Sequence, residues 1–196
     1  MNTNRHSIRL KKYDYSQNGF YFVTICTQNR ENMFGKIVGA RRDAPTSIVG
    51  DTPTHIELNQ YGKIIAEVGK SLPDHHPIEL DAFQIMPNHI HCIMHIVSHT
   101  SCNTVMGASR RAPTLGWIIG IFKTQCTARI NAVRNTPGWR IFQRNYYEHI
   151  IRNEEEYRKT IEYIQNNPNR WDEDRNNPVN IPFDNTNIPS DDKNLL

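Results

Sequence analysis

Long apolar runs are missing from this 196-residue chain. No stretch approaches the ~20 consecutive apolar residues of a membrane-spanning helix. The opening MNTNRHSIRLKKYDY lacks the apolar segment of a secretory leader. Cysteine is sparse too: Cys26, Cys92, Cys102 and Cys126 form no CxxC pair and no tight framework. That argues against a disulfide scaffold and for a reduced, cytoplasmic chain. Nor is there a large excess of charge of one sign. A net charge of +3 and a pI of about 8.7 give only a mild leaning toward polyanions, too weak alone to indicate nucleic acid. Mean hydropathy is −0.66, yet the 37% hydrophobic residues cluster enough to build one core.

What is present reads as alternating strands and helices. GFYFVTICTQN, residues 19–29, is rich in β-branched and aromatic residues and predicts a strand. FGKIVG and HIELN predict a hairpin around a loop over 39–54. In QYGKIIAEVGKSL, Ile64, Ile65, Val68 and Leu72 recur at helical spacing, with Pro73 as the expected stop. IELDAFQIMP and HIHCIMHIV predict two further strands joined by a tight PN turn. A polar loop follows over 98–113, then a long helix with Thr114 as its N-cap and Pro137–Gly138 beyond its end. WRIFQ predicts a short fourth strand of the main sheet, and a last helix starts near Asn153 with Glu156 in a capping position.

The order β, α, β, β, α, β, α predicts an α+β fold of the ferredoxin-like, split βαβ kind: an antiparallel sheet with helices packed on it. Residues 1–171 are expected to form one domain, with loop insertions near 39–54 and 98–113. Residues 172–196, dominated by Asn, Asp and Pro, are expected to form a polar tail. GARRDAPT (39–46) and GASRRAPT (107–114) match at six of eight positions, too short for a structural repeat.

The histidine-rich strand carries the first chemical signal. Side chains alternate along a strand, so His89, His91, Ile93 and His95 share one face, while Ile90, Cys92, Met94 and Ile96 form an apolar opposite face. His89 and His91 stand roughly 7 Å apart at Cα, close enough to converge on one cation. The plainer alternative is a set of satisfied core or surface histidines. A histidine-triad phosphate site is disfavoured because Ile93 occupies the fifth position of the H-x-H-x-H pattern it requires.

Two imidazoles leave a cation short of ligands, and the last helix is the place to look. In NEEEYRKTIEYIQNNP, Tyr157, Ile161 and Ile164 form one narrow core stripe. Tyr163 falls about 120° from its centre, with Asn167 on the same side one turn later. A free phenol is ionised only about once in a thousand at pH 7, so nucleophilic use means offsetting roughly 4 kcal/mol or removing the proton during attack. A cation beside a phosphodiester eases both. The adjacent Tyr146 and Tyr147 offer other phenols, although they precede the helix and read more readily as packing or stacking residues.

PNHIHCIMHI resembles the HUH motif (His, hydrophobic, His) of single-tyrosine nucleases. FQRNYYEHIIRNEEEYRKTIEYIQNNP is similar to the closing region of HUH transposases, in particular the REP-associated tyrosine transposases. The resemblance covers roughly Arg9 to Trp171. It implies a ferredoxin-like domain with a terminal catalytic helix, Mg²⁺ or Mn²⁺ held by His89 and His91 with Asn167 as third ligand, and Tyr163 as the nucleophile. The implied reaction is attack on single-stranded DNA, giving a 5′-phosphotyrosine and a free 3′-hydroxyl at hairpin-associated sites. The implied partner is single-stranded or hairpin DNA, bound by a monomer or homodimer. Phosphate contacts are expected from Arg5, Arg9, Lys11, Lys12, Lys123, Arg144 and Arg152, the basic N-terminal segment foremost. Two alternatives remain: a hairpin-binding protein whose catalysis has lapsed, or a metal-dependent hydrolase of small phosphates.

Overall fold

The computed structural model describes residues 14, 15, 17–39, 54–97 and 114–180. Its elements are strands β1 (Gly19–Cys26), β2 (Gly35–Val38) and β3 (His55–Leu58), helix α1 (Gln60–His75), and strands β4 (Ile78–Ile85) and β5 (His89–Ile96). Helix α2 (Leu115–Arg134), strand β6 (Tyr147–Ile151) and helix α3 (Glu154–Asn166) complete the set. The main sheet has the order β4-β5-β1-β6, with every neighbouring pair antiparallel. This is the expected ferredoxin-like arrangement. The hairpin of β2 and β3 forms a separate two-stranded sheet inside the first crossover.

The period-two alternation of β1 and β5 places a hydrophobic layer on each face of the sheet. Tyr21, Val23 and Ile25 join Ile90, Cys92, Met94 and Ile96 on one face, packed with Ile65, Val68 and Leu72 of α1 and Leu115, Ile118, Ile119 and Phe122 of α2. On the other face Ile93, Ile151 and Ile164 form a smaller core with Phe20, Phe22, Ala82, Tyr157 and Ile161. Helix α3 lies there, on the face that carries His89 and His91. The core stripe expected for α3 is therefore observed, and Tyr163 stays 41% exposed beside it.

Local chemistry sets the helix starts. The Asn59 side chain accepts from the N–H groups of Tyr61 and Gly62 and donates to the Met33 carbonyl, capping α1 while tying it to the β1–β2 connection. Thr114 caps α2 through the Trp117 N–H, as expected. Asn153 caps α3 through the Glu156 N–H, and the Glu156 carboxylate returns to the Arg152 N–H. Helix α2 stops at Asn135, which takes the left-handed conformation at φ 56°.

Three expectations are corrected. Pro73 does not stop α1, which runs on to His75: proline in the last turn forfeits one helical hydrogen bond, and the His76 N–H still closes on the Leu72 carbonyl. WRIFQ is not the fourth strand of the main sheet. Only Phe142 makes a lone bridge to Thr27; its ring packs on Phe34 and Phe122, and Ile141 is buried in the same core. The edge strand is Tyr147–Ile151, hidden because its adjacent Glu148 and His149 break the strand pattern. Finally, the chain does not leave the fold at Asp172. Residues 168–173 form a 3₁₀ turn, and Asp174, Asn176 and Asn177 are buried. The remainder of the expected tail and most of both APT-containing loops lie outside the described residues.

Gly62 sits in the first turn of α1 where a Cβ would come within 2.2 Å of the Phe34 carbonyl oxygen and 2.9 Å of Leu58 Cδ2. Gly→Ala normally strengthens a helix. Here Gly62→Ala is expected to destabilise by about 1–3 kcal/mol, read as a lower midpoint in thermal or urea denaturation.

Candidate metal and nucleophile site

The site is set by the register of two strands. In the β1–β5 ladder Cys26 lies opposite His89 and Thr24 opposite His91. Both imidazoles therefore emerge beside β1 at its C-terminal end, on the face covered by α3. His89 is fully buried and His91 is 2% exposed.

Asn88 determines the orientation of the first ring. Its amide nitrogen donates to the carbonyls of Arg30 (2.9 Å) and Asn176 (2.7 Å), so its oxygen faces His89 and accepts from Nδ1–H at 2.9 Å. His89 Nε2 is left as a bare lone pair. It lies 3.0 Å from His91 Nε2, while His91 Nδ1 meets the Thr24 hydroxyl at 2.9 Å. That hydroxyl can donate or accept, so it supports His91 in either tautomer. Without a cation, His91 Nε2–H donates to His89. A bound cation would require the other tautomer of His91, with Nδ1–H donating to Thr24 and both Nε2 lone pairs free to serve as ligands.

Burial, rather than any acidic neighbour, decides the charge of the rings. Desolvation, with Arg30 adding to it, pushes His89 down to about 3. Desolvation and the adjacent His89 hold His91 well below the usual histidine range. Both are neutral at physiological pH, the form in which imidazole binds metals.

The residue the sequence reading missed is Asp174. Its Oδ2 lies 3.8 Å from His89 Nε2, and the ligand atoms of His89, His91 and Asp174 all fall within 4.8 Å of one another. It belonged to the Asn/Asp-rich segment taken for a tail. Trp171, the last residue of the expected domain, directly precedes that segment and stacks against His89 with centroids 6.0 Å apart. Asn167 joins the cluster: its Nδ2 donates to Asp174 Oδ2 at 3.1 Å, and its buried Oδ1 has no hydrogen-bond partner. A buried acceptor left over costs free energy unless something binds it.

Tyr163 completes the arrangement. Its hydroxyl stands 3.5 Å from His91 Nε2, and its ring meets Phe22 and His91 edge-on at 5.9 and 5.3 Å. Desolvation first, then the Asp174 carboxylate, raises its pKa against the opposing pull of Arg175, so the resting group is a neutral phenol. Tyr157, the competing phenol of α3, bonds instead to Asp81 at 3.1 Å. Tyr147 lies on the edge strand with Arg175 over its ring, and Tyr146 lies under Lys123. His95 pairs with Glu79 and stacks on Phe20, away from the cluster.

Two clefts open beside Tyr163. One, of about 930 Å³, is lined by Tyr163, Asn166, Asn167, Arg170, Asp174 and Arg175. The other, of about 640 Å³, is lined by Phe22, His149, Arg152, Lys159 and Tyr163. Of the expected phosphate contacts, Arg152 thus lines a cleft together with Tyr163. Arg144 is exposed but lies on a different groove along α2. Lys123 donates to the carbonyls of Gln143, Arg144 and Asn145, an internal tie, and burial lowers its pKa to about 8. Arg5, Arg9, Lys11 and Lys12 lie outside the described residues. Lys159 and Arg175 are cations at the site that the sequence reading did not single out.

No family model matches the chain. An uncharacterized protein of Haemophilus influenzae is 37% identical over 181 residues, covering 87% of this chain and 92% of the relative. A second Haemophilus influenzae protein, described as a "Putative REP-associated tyrosine transposase", is 24% identical over 163 residues, covering 79% of this chain and 73% of its own length. Among solved structures, a REP-associated tyrosine transposase bound to a REP hairpin superposes with a TM-score of 0.50 at 20% identity, covering 83% of this chain and 73% of that one. The fold is that of the REP-associated tyrosine transposases, and the chain resembles them in sequence as well. It belongs to one family with the Haemophilus protein it matches at 37% identity. Among the described residues no helix is long and apolar enough to cross a membrane.

Because the two histidines titrate low when folded and near 6.5 when unfolded, the unfolded chain binds more protons as pH falls below that value. Stability is therefore present above pH 6.5 and is lost as pH falls toward 3. Thermal midpoints measured in EDTA from pH 7 to 4 should drop for the wild type, and less steeply for the His89→Asn, His91→Asn double variant.

Proposed function

We propose that this chain is a metal-dependent single-stranded DNA endonuclease and strand transferase that acts at hairpin-associated sites through a 5′-phosphotyrosine on Tyr163. The observation that supports this most directly is the Tyr163 hydroxyl 3.5 Å from one of two buried, neutral imidazoles whose Nε2 atoms converge. The solved relative with this fold is bound to a REP hairpin, which supports a DNA hairpin as partner.

The donor set fits a divalent cation. An Nε2 separation of 3.0 Å suits two adjacent ligands of an octahedral ion with bonds of ~2.1 Å, and the orphaned Asn167 oxygen supplies a further acceptor. Two imidazoles, a carboxylate and an amide oxygen suit Mg²⁺ or Mn²⁺. Cys26, the nearby thiol, is kept protonated by burial and contributes no thiolate. His89, His91 and Asp174 would hold the ion, with Asn167 beside them. When bound, it supplies charge that polarises the attacked phosphate and stabilises developing negative charge on the departing oxygen.

The chain's own groups account for the rest. Phe22 and the His91 ring hold the Tyr163 ring edge-on, so the phenol enters the site with little rotational freedom. The Tyr163 oxygen forms a bond to phosphorus and loses its proton; the bond from phosphorus to the 3′ oxygen breaks, and that oxygen takes up a proton. A 3′-hydroxyl attacking the phosphotyrosine reverses the step and joins strands. Lys159, Arg170 and Arg175, lining the clefts on either side, are placed to meet the phosphates of the flanking strand.

Incubation with hairpin-bearing single-stranded DNA and Mn²⁺, followed by denaturation, should leave a protein–DNA adduct that Tyr163→Phe and EDTA both abolish. DNA bound without any adduct would instead indicate a hairpin-binding protein whose catalysis has lapsed. Phosphate-ester turnover indifferent to Tyr163→Phe would indicate a hydrolase. Asp174→Ala should weaken Mn²⁺ binding at least about tenfold by calorimetry, whereas Tyr157→Phe should leave both adduct and metal affinity near wild type.

A further inference from the structure

The smaller cleft beside Tyr163 holds two groups that have no part in the steps above. His149 and Glu156 both line it, together with Phe22, Arg152 and the tyrosine itself. His149 stands opposite Phe22 in the β1–β6 ladder, and the Phe22 ring meets Tyr163 edge-on at 5.9 Å. The imidazole and the phenol are thus both neighbours of Phe22 and open onto one space of about 640 Å³. The His149 side chain is 40% exposed, so water can reach it.

Which nitrogen of His149 carries the proton follows from its partner. Nε2 is hydrogen-bonded to Glu156 Oε1, and a carboxylate only accepts, so the proton is on Nε2. In the neutral ring Nδ1 is then a lone pair, and among the described residues nothing donates to it. Glu156 is itself fixed: Oε2 accepts from the Arg152 N–H at 2.8 Å, and the Glu156 N–H donates to Asn153 Oδ1 at 2.8 Å. The Arg152 N–H first, then the His149 contact, hold its carboxyl below the usual range, so it is ionised and can stabilise a positive imidazole. An imidazole with one nitrogen tied to a carboxylate and the other free is the arrangement of a general base.

Tyr163 needs such a group. Desolvation first, then Asp174, raises its pKa, so the phenol must lose its proton during attack rather than before it. His91 Nε2, 3.5 Å from the hydroxyl, and the Asp174 carboxylate both belong to the proposed metal set and are not free to take that proton. Of the other groups lining the cleft, Glu155 is paired with Lys159, and Arg152 and Lys159 carry donors only.

We propose that His149 is the general base of the reaction: Nδ1 takes the Tyr163 proton, directly or through one water in the cleft, and Glu156 holds the imidazolium that results. The electron pair of the phenol O–H bond becomes the new bond to phosphorus. The pair of the broken bond leaves on the 3′ oxygen, which takes a proton from solvent. When a 3′-hydroxyl attacks the phosphotyrosine, the imidazolium returns its proton to the departing phenol oxygen. This assignment rests on the phosphotyrosine reading above.

The test is the rate of covalent adduct formation by the full chain with hairpin-bearing single-stranded DNA and Mn²⁺. It is measured with Tyr163 and with trifluorotyrosine, a more acidic phenol, in its place. His149→Gln keeps a donor for Glu156 but has no basic nitrogen. It should slow the adduct roughly 10²- to 10⁴-fold with the thermal midpoint near wild type. In the trifluorotyrosine protein the same substitution should cost at least about tenfold less, because that phenol ionises with less help. Equal slowing with either phenol marks a merely structural histidine and overturns the proposal, as does a His149→Gln rate equal to wild type. If His149→Gln does not fold, Glu156→Gln replaces it: Gln still accepts from the Arg152 N–H but removes the charge beside the ring, and an unchanged rate overturns the proposal. An adduct formed equally fast by wild type and variant removes only the base. No adduct from the wild type removes the phosphotyrosine reading and the base with it.

Discussion

Two neutral, buried imidazoles with their Nε2 atoms 3.0 Å apart are the constraint around which this end of the sheet is arranged. Neither ring carries a positive charge, because burial disfavours protonation, and each has its Nδ1 engaged by a different neighbour. The pairing of β1 with β5 brings Thr24 to His91, and the turn before β5 brings Asn88 to His89. Rings oriented by neutral oxygens keep their Nε2 atoms aimed at a shared point without adding a second buried charge. Asp174 then supplies a single carboxylate, arriving from a segment far along the chain.

That segment explains why the domain extends beyond its last long helix. Asn88 reaches the Asn176 carbonyl, Arg30 Nη1 donates to the Arg175 carbonyl, and Asn167 donates to Asp174. Three elements distant in sequence, the end of β1, the turn before β5 and residues 174–176, are bound into one hydrogen-bonded rim. Asn29 and Arg30, both with positive φ, mark the bend that turns the chain toward it. The polar composition of the rim reflects satisfied backbone and amide groups, which outwardly look like the composition of a tail.

The sheet separates two tasks between its faces. Helices α1 and α2 cover one side with a conventional aliphatic core, where alternation in β1 and β5 supplies the apolar set. Helix α3 covers the other side only in part, through Ile164 and its neighbours, so that Tyr163 can sit at the margin with its hydroxyl inside and its ring partly in solvent. A helix packed as fully as α1 would bury the phenol and close both clefts. Incomplete coverage on this face is what leaves the two clefts open beside Tyr163.

Much of this was legible from local patterns. Strand-forming composition identified β1, alternation assigned the two faces of β5, helical spacing identified α1 and the core stripe of α3, and the wheel of α3 separated Tyr163 from that stripe, because each signal resides in residues close together in sequence. The edge strand β6 escaped since Glu148 and His149 stand side by side in YEHII and break any alternation, whereas the more apolar WRIFQ is loop packed against α2. The ligand role available to His89 and His91 was readable from their shared strand face. Asp174 was not: a carboxylate in a polar segment carries no periodicity, and only the return of the chain across β1 brings it within 3.8 Å of His89. Sequence alone determined which residues could share a face, since that follows from backbone geometry within one element. Tertiary structure decided which faces meet, which rings lose their charge and which carboxylate joins them, since those depend on burial and on contacts between segments more than eighty residues apart.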